Sequence, residues 1–348
     1  MHSFITLIAL IFCLWIGRSL FIPILFAAFI WYLLNAIASY YRKVMPCYKT
    51  DTTLCRIPSK FYNYLSNILS FLTIGSIIFL FATQIKPMFW ELYTATPVLQ
   101  QRLLEFSNYI SAKIGIELDL SLIPNLPQIA TYIASSLAGI ATSTGMVIIY
   151  LIFMFIEQNS FNKKLESLPV QKIKAKKLQY ILNSIDEHMK KYLFIKTFIS
   201  AATGVFAYIA LKTIGLEFAS VWAFMIFILN YIPTLGSILA CAMPIAYAFI
   251  SGNTWHLPFL TATSLIAIEI VFGNILDPKL TGKTLNISTL AILVNLVFWG
   301  MIWGVAGMFF SVPILAAVYI TTAQFKSTRW IAVLLSADGN IPDETTSD

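Results

Sequence analysis

Long uncharged stretches alternate with short charged connections over almost the whole chain. A helix needs roughly 18 or more predominantly apolar residues to cross a bilayer. Uncharged runs longer than this cover residues 61–85, 120–156, 218–268 and 284–325, and further apolar runs cover residues 5–16, 20–40 and 193–211. The pattern predicts an all-α fold: a polytopic integral membrane protein with about eight transmembrane helices.

Two of these runs are too long for one straight span. As a helix, residues 218–251 would be about 51 Å long, whereas the hydrocarbon core of a bilayer is about 30 Å thick. Pro233 and Gly236 interrupt this run within the sequence NYIPTLGSILACAMP, which predicts either two short helices or a re-entrant hairpin. Because lipid does not tolerate open backbone groups, such a break must face protein or water. Residues 284–325 are also too long, so we expect broken or re-entrant helices in the C-terminal half.

Composition agrees with a membrane protein, since the 348 residues are 58% hydrophobic and only 11% charged, against about 25% charged residues in soluble proteins. The remaining charges orient the chain. Residues 41–60 carry five bases and one acid, residues 157–192 carry eight lysines, and residues 86–119 carry three bases and four acids. The positive-inside rule predicts that the first two of these connections are cytoplasmic, that the third is external, and that both termini are cytoplasmic.

These patterns divide the chain into five segments. We predict an N-terminal helical hairpin with a basic inner loop (1–60), two spans flanking an external amphipathic helical insert at about 87–131 (61–157), a basic cytoplasmic linker helix (158–192), a C-terminal transport core with broken helices (193–325) and a cytoplasmic tail (326–348). The first span lacks the basic flank and cleavage site of a signal peptide, so we expect it to be retained. The lysines of the linker either bind an anionic leaflet or only fix the topology.

Residues for enzymatic chemistry are scarce. The three histidines, His2, His188 and His256, are not spaced as metal ligands. The chain contains no G-x-S-x-G motif, no Walker A loop and no Rossmann glycine pattern. Its net charge of +7 is not arranged in the aromatic-interleaved basic patches of nucleic-acid-binding proteins. We therefore expect no enzymatic activity, cofactor, metal or nucleic-acid partner, and we expect membrane lipid and a small-molecule or ion substrate as partners.

Polar residues inside the apolar runs are the candidates for a transport pathway. Glu269 is the strongest, because an acid within a span is costly and usually marks an ion, proton or substrate route; the alternative is an interfacial Glu269 paired with a lysine. Asp277 follows about 12 Å further along a helix. The other pathway candidates are Asn230, Pro233, Gly236, Asn274, Lys279 and Asn295.

Small residues recur in the last apolar run, within FWGMIWGVAGMFFSVP. A helical spacing relates Gly300, Gly304, Gly307 and Ser311. This spacing predicts one bare helix face that another helix approaches closely. The residues assigned to helix breaking and packing are Pro244, Gly300, Gly304, Gly307 and Pro313. Ordinary membrane-helix packing is the alternative explanation.

Three stretches, NYIPTLGSILACAMP, NILDPKLTGKTLNIS and FWGMIWGVAGMFFSVPILA, together resemble the autoinducer-2 exporter-like (AI-2E) family of bacterial permeases. The order of elements is also similar, over roughly residues 1–325. The matching positions are Pro233, Gly236, Pro244, Asp277, Pro278, Lys279, Gly282, Lys283, Gly304, Gly307 and Pro313. The resemblance implies an eight-span inner-membrane protein, a homo-oligomer, linked to export of the quorum-sensing signal autoinducer-2 or to sodium/proton exchange.

Export of a small polar solute such as autoinducer-2, coupled to a proton or sodium gradient, is the predicted function. A sodium/proton antiporter or a passive channel of the same fold are alternatives, and a non-transporting scaffold that recruits partners through its basic linker is an alternative of another class. A broken, nearly charge-free C-terminal half with a buried acid argues against the scaffold. The side on which residues 277–283 lie stays open, because their lysines favour the inside and an eight-span count with one broken span favours the outside.

Overall fold

A computed structural model of the chain describes residues 2–45, 59–114, 144–158, 160, 164, 172–251, 255–281 and 286–339. Some of the predictions above fall outside these residues. They concern the inner loop at 46–58, the later part of the external insert at 115–131, most of the linker between 159 and 171, Gly282 and Lys283, and the tail from 340 onward.

The described residues are helical almost throughout. The helices are α1 (His2–Ile16), α2 (Arg18–Val44), α3 (Ser59–Ile114), α4 (Thr144–Gln158), α5 (Lys172–Ile214), α6 (Ala219–Leu229), α7 (Leu235–Ser251), α8 (His256–Glu269), a π-helix (Ile270–Leu276), α9 (Asp277–Thr281), α10 (Thr289–Ala323) and α11 (Arg329–Leu335). The extended residues Ile287 and Ser336 form one isolated antiparallel bridge. The predicted all-α class is confirmed.

Apolar length identifies the helices that can cross a bilayer. Four helices of the described ranges are long and apolar enough: Arg18–Val44, Lys177–Ile214, His256–Leu280 and Thr289–Ala323. Shorter apolar helices are Thr144–Gln158, Ala219–Leu229 and Leu235–Ser251. The predicted polytopic membrane architecture is therefore confirmed.

The helix α3 is longer than the sequence suggests. It runs for 56 residues through Pro87 and Pro97, about 84 Å at 1.5 Å per residue. A proline inside a helix removes one backbone hydrogen bond and bends the helix without necessarily ending it. The predicted external insert thus begins as a direct continuation of the preceding span.

The chain divides into two compact units. The first comprises residues 1–72, 144–196 and 279–348, and the second comprises residues 73–143 and 197–278. Aromatic rings join α2 to α10 within the first unit, where the ring centroids of Phe26 and Phe310 lie 4.9 Å apart. Contacts between aromatic rings pack these two helices together, as such contacts do in soluble cores.

The core of the second unit lies among α5, α6, α7 and α8. Leu211, Ile226, Ala240 and Leu265, one from each helix, are buried in a single apolar cluster. Each helix therefore contributes buried residues to this cluster. These contacts fix the positions of α6 and α7, which carry the first candidate site.

Candidate functional site

The helices α6 and α7 form a helical hairpin, named hairpin A here (residues 219–251). Its two ends meet at one side chain. The Nη1 atom of Arg102 lies 3.4 Å from Oε2 of Glu217, just before α6, and 3.3 Å from the carbonyl oxygen of Ser251 at the end of α7. Tyr247 donates a hydrogen bond of 2.5 Å to the same Glu217 oxygen. The interrupted run thus forms two short helices, α6 and α7, that fold back on each other as a hairpin.

The turn of hairpin A lies at the predicted interruption. Pro233 has no N–H to continue the helix, and Thr234 has a φ of 59°, in the left-handed region. Gly236 then lies directly against the end of α6. A Cβ atom at Gly236 would lie 2.8 Å from the carbonyl carbon of Leu229 and still closer to its oxygen. The predicted helix break is confirmed, and the glycine is what lets the two arms meet.

Several buried polar atoms of the second unit have no hydrogen-bond partner among the described residues. They are Ser200 Oγ, Trp222 Nε1, Asn230 Nδ2 and Thr261 Oγ1. Asn230 is only 3% exposed and lies at the turn of hairpin A. A buried polar group left unpaired costs about 1–3 kcal/mol, so each such group calls for a ligand, a water or a functional reason.

The helix α10 folds back on itself at Gly304, and residues Thr289–Ala323 are named hairpin B. Gly304 has φ 62° and ψ −142°, a conformation essentially restricted to glycine. Asn295 donates a hydrogen bond of 2.7 Å to the carbonyl oxygen of Ser311, 16 residues further on, although a straight helix would separate them by about 24 Å. The Asn295 Oδ1 atom also accepts a hydrogen bond from Trp299 Nε1 at 3.1 Å. The two arms of hairpin B are therefore antiparallel.

The two ends of hairpin B also lie together. The N–H of Ser288 donates to the carbonyl oxygen of Leu335 at 2.8 Å, and the N–H of Ala337 donates to the carbonyl oxygen of Asn286 at 3.0 Å. Leu335 ends α11, the short helix that follows the hairpin. Ile287, before the hairpin, and Ala323, at its end, both pack against the same buried cluster of Tyr319, Ile320 and Ala332, so the chain enters and leaves hairpin B at the same place. Trp303 at its turn donates to the carbonyl oxygen of Leu14 in α1 at 2.9 Å.

The predicted single face of small residues in the last apolar run is wrong. Because the helix reverses at Gly304, Gly300 and Gly307 lie on opposite arms. A Cβ atom at Gly300 would lie 2.8 Å from Cε of Met308, and one at Gly307 would lie 2.7 Å from the carbonyl carbon of Trp299. The glycines let the arms of hairpin B approach each other, whereas the sequence predicted a surface for another helix.

The two prolines assigned to helix breaking lie elsewhere than at the breaks. Pro244 is inside α7 and Pro313 is inside the second arm of α10, and both helices continue past them. Pro244 is fully buried. The chain reverses instead at Thr234 and Gly304, where the backbone adopts positive φ values.

Glu269 ends α8 where the chain changes into the π-helix Ile270–Leu276. Such widened turns are rare and occur frequently at functional sites. The carboxyl group folds over Gly273, since a Cβ atom there would lie 2.9 Å from Cδ of Glu269. The side chain is half-buried. Within the described residues, no lysine forms an ion pair with it.

The remaining pathway candidates lie on different elements. Asn274 is exposed on the π-helix, and Asp277 begins α9 half-buried and engaged with other groups. Lys279 is exposed on α9, and Asn295 lies in hairpin B. The described residues include no group of three or more side chains that could hold a metal ion.

Sequence reasoning missed the side chains that hold hairpin A. Arg102, Glu217 and Tyr247 are separated by too many residues for a local pattern to connect them. One signal was present, because Glu217 directly precedes the uncharged run 218–268. Lys196 was also missed: it lies inside an apolar run and is only 8% exposed, and charges within spans are usually functional.

The chain resembles known transporters over most of its length. Residues 4–327 match the family model described as AI-2E family transporter. The AI-2 transport protein TqsA of Escherichia coli is 33% identical over 230 residues, which cover 64% of this chain and 66% of that protein. YueF of Bacillus subtilis, provisionally named a transport protein, is 25% identical over 317 residues, which cover 86% of this chain and 82% of that protein. YhhT of Escherichia coli, named in the same provisional way, is 29% identical over 206 residues, which cover 59% and 58%. The chain thus spans just under two thirds of TqsA and less of YhhT.

Proposed function

Because the chain belongs to the AI-2E family of transporters, we propose that it exports a small polar solute across the inner membrane and that hairpin A forms part of the route. The observation that carries this proposal is the turn of hairpin A, where the Nδ2 atom of Asn230 is buried inside an apolar run without a hydrogen-bond partner among the described residues. A polar group at such a place is costly unless it has a binding role.

The length of α6 supports a position of this turn near the middle of a bilayer. The helix has 11 residues and is about 16 Å long, roughly half of a 30 Å hydrocarbon core. If α6 starts at the membrane surface, as we propose, the end of α6 and the start of α7 lie near that depth. Broken helices of this kind are where transporters meet their solutes and ions. A scaffold would need no such break.

Autoinducer-2 is the first solute to test, because the relative TqsA is named an AI-2 transport protein. Export is the direction that we propose, with a proton or sodium gradient as the energy source. A homo-oligomer remains the predicted assembly.

Glu269 is the group that we propose for coupling to the gradient. Its carboxyl group lies at the junction of α8 with the π-helix and has no lysine partner in the described part of the chain. An unpaired acid in a span can take up and release a proton or a cation as the transporter changes state.

We propose a topology of six crossings (α1, α2, α3, α4, α5 and α8) with two re-entrant hairpins. Arg102 belongs to the segment predicted to be external, so hairpin A opens to the outside. The helix α8 then crosses inward and brings Asp277 and Lys279 to the cytoplasmic side, as their neighbouring lysines favour. Hairpin B, whose ends lie beside residues 335–337, opens to the cytoplasm, in agreement with a cytoplasmic C-terminus.

Cysteine labelling tests this topology. In a variant without the native cysteines, Thr213→Cys at the end of α5 is expected to react in intact cells with a membrane-impermeant maleimide, because its side chain is exposed on the external side. Lys279→Cys, exposed on α9, is expected to react only after the membrane is opened. Labelling of both positions from the same side would contradict the topology.

Reconstituted transport tests the function. Proteoliposomes loaded with autoinducer-2 are expected to release it faster when a proton or sodium gradient is imposed than without a gradient, since coupling adds a driving force. Release that ignores the gradient would indicate a passive channel, and sodium/proton exchange without autoinducer-2 movement would indicate an antiporter. The absence of all three fluxes would leave the scaffold and contradict the proposal.

A further inference from the structure

The buried polar groups of the second unit indicate how a solute is held at hairpin A. We propose that Ser200 of α5 and Asn230 of hairpin A are a pair of hydrogen-bond donors for an acceptor oxygen of the transported solute. The inference rests on the proposed function and narrows the solute to a molecule with hydroxyl, carbonyl or carboxylate oxygens, as opposed to a bare cation.

The helices α5 and α6 approach each other closely at Gly204. A Cβ atom there would lie 3.1 Å from Cβ of Phe227 and 3.2 Å from the carbonyl oxygen of Ala223. Beyond this contact, the hydroxyl group of Tyr231 bonds to Oγ1 of Thr197 at 2.8 Å. From the first contact to the second, the residue number decreases along α5 (204 to 197) and increases along α6 and its turn (227 to 231). The two helices are therefore antiparallel.

From the helical register and these two contacts, we infer that Ser200 and Asn230 lie at the same level of this interface. Ser200 is one turn before Gly204 on the same face of α5, and Asn230 is two turns after Ala223 on the same face of α6. Their level is between the Gly204 contact and the hydrogen bond of Thr197 to Tyr231. Ser200 is 0% exposed and Asn230 is 3% exposed.

The two groups do not satisfy each other. Ser200 Oγ and Asn230 Nδ2 both lack a hydrogen-bond partner in the described ranges, although they face one interface. The amide nitrogen of asparagine can only donate, and the serine hydroxyl can also donate. An oxygen acceptor fits both groups, whereas N–H donors repel a cation.

A nearby hydroxyl group provides the contrast. Thr203, on the same helix, is also buried, but its Oγ1 atom donates to the carbonyl oxygen of Ile199 at 2.9 Å. Its hydrogen bond is thus local to α5. Thr203→Val is therefore a matched control, which removes a buried hydroxyl group without touching the proposed donor pair.

Efflux of autoinducer-2 from proteoliposomes tests the pair. Ser200→Ala and Asn230→Asp are each expected to raise the KM about tenfold, because each removes one hydrogen bond to the solute, while the maximal rate changes less than about twofold. Thr203→Val is expected to keep the KM of the unmodified protein. Unchanged KM values in both variants would mean that the groups hold an ordered water only, and this result would overturn the inference.

A melting temperature measured in detergent without any solute separates this inference from the proposed function. An unsatisfied buried donor destabilises the empty protein, so Ser200→Ala is expected to melt at the same temperature as the unmodified protein or higher. A lower melting temperature would show that the hydroxyl group is satisfied structurally and would overturn the donor pair. If the unmodified protein moves no autoinducer-2, the proposed function fails. The melting temperature of Ser200→Ala still tests whether the Ser200 hydroxyl group is an unsatisfied donor.

Discussion

Gly236→Ala is expected to reduce transport at least about fivefold while the protein still inserts into the membrane. A Cβ atom at this position would lie 2.8 Å from the carbonyl carbon of Leu229, a backbone atom that cannot rotate away. The arms of hairpin A must then separate at the turn. Overpacking of this kind costs about 1–3 kcal/mol, which corresponds to about a five- to 150-fold loss of the intact turn. Efflux at equal amounts of membrane-inserted protein measures the effect.

Gly75→Ala is the control for this variant. Gly75 lies in α3, and nothing lies within 4 Å of a Cβ atom built there, so alanine is expected to preserve activity and to favour the helix slightly. Pro233→Ala combined with Gly236→Ala is expected to be as inactive as Gly236→Ala alone, because the steric conflict with Leu229 remains. Full activity of Gly236→Ala would contradict the prediction and would mean that this glycine serves only ordinary helix packing.

Glu269→Gln is expected to abolish the pH dependence of transport and to lower the protein level little. The substitution keeps the shape of the side chain and removes its charge. The amide still fits over Gly273, which leaves room for it in the π-helix. Efflux rates measured over a range of pH, with the gradient held constant, test this expectation. An unchanged pH profile would mean that the acid is structural, and the coupling hypothesis would fail with it.

Two neighbouring variants sharpen this test. Gly273→Ala keeps the carboxyl group but displaces it, because a Cβ atom at Gly273 would lie 2.9 Å from Cδ of Glu269; we expect a shifted pH profile that does not disappear. Asp277→Asn is expected to weaken apparent affinity with a smaller loss of maximal rate, since Asp277 lies at the end of the π-helix. Loss of pH dependence in Asp277→Asn alone would transfer the coupling role to that residue.

Local properties of the sequence were enough to predict the helices. Apolar length identified the membrane elements, because the hydrocarbon thickness and the rise of a helix are both fixed. The same comparison showed that residues 218–251 must break, and Pro233 marked the position. Glu269 was selected as a candidate because a single acid in an apolar run is unusual.

The π-helix after Glu269 could not be predicted in this way. Its seven residues, IVFGNIL, have the composition of an ordinary membrane helix, and one extra residue in a turn leaves no pattern in hydrophobicity. The prediction of one small-residue face around Gly304 was wrong for a related reason. Their spacing fits one straight helix, whereas the backbone of Gly304 reverses the chain.

The sequence by itself thus determined that the chain crosses a membrane as helices and where two of them are too long. Only the tertiary structure decided that these two fold back as hairpins. Two separate spans would have the same apolar composition as the two arms of a hairpin, so the sequence pattern does not distinguish them. The contacts that distinguish them join distant residues, such as Arg102 with Glu217, 115 residues apart. Two asparagines that look alike in the sequence also differ for this reason: Asn295 finds the carbonyl oxygen of Ser311 on the opposite arm, while the Asn230 Nδ2 atom is buried with no partner among the described residues.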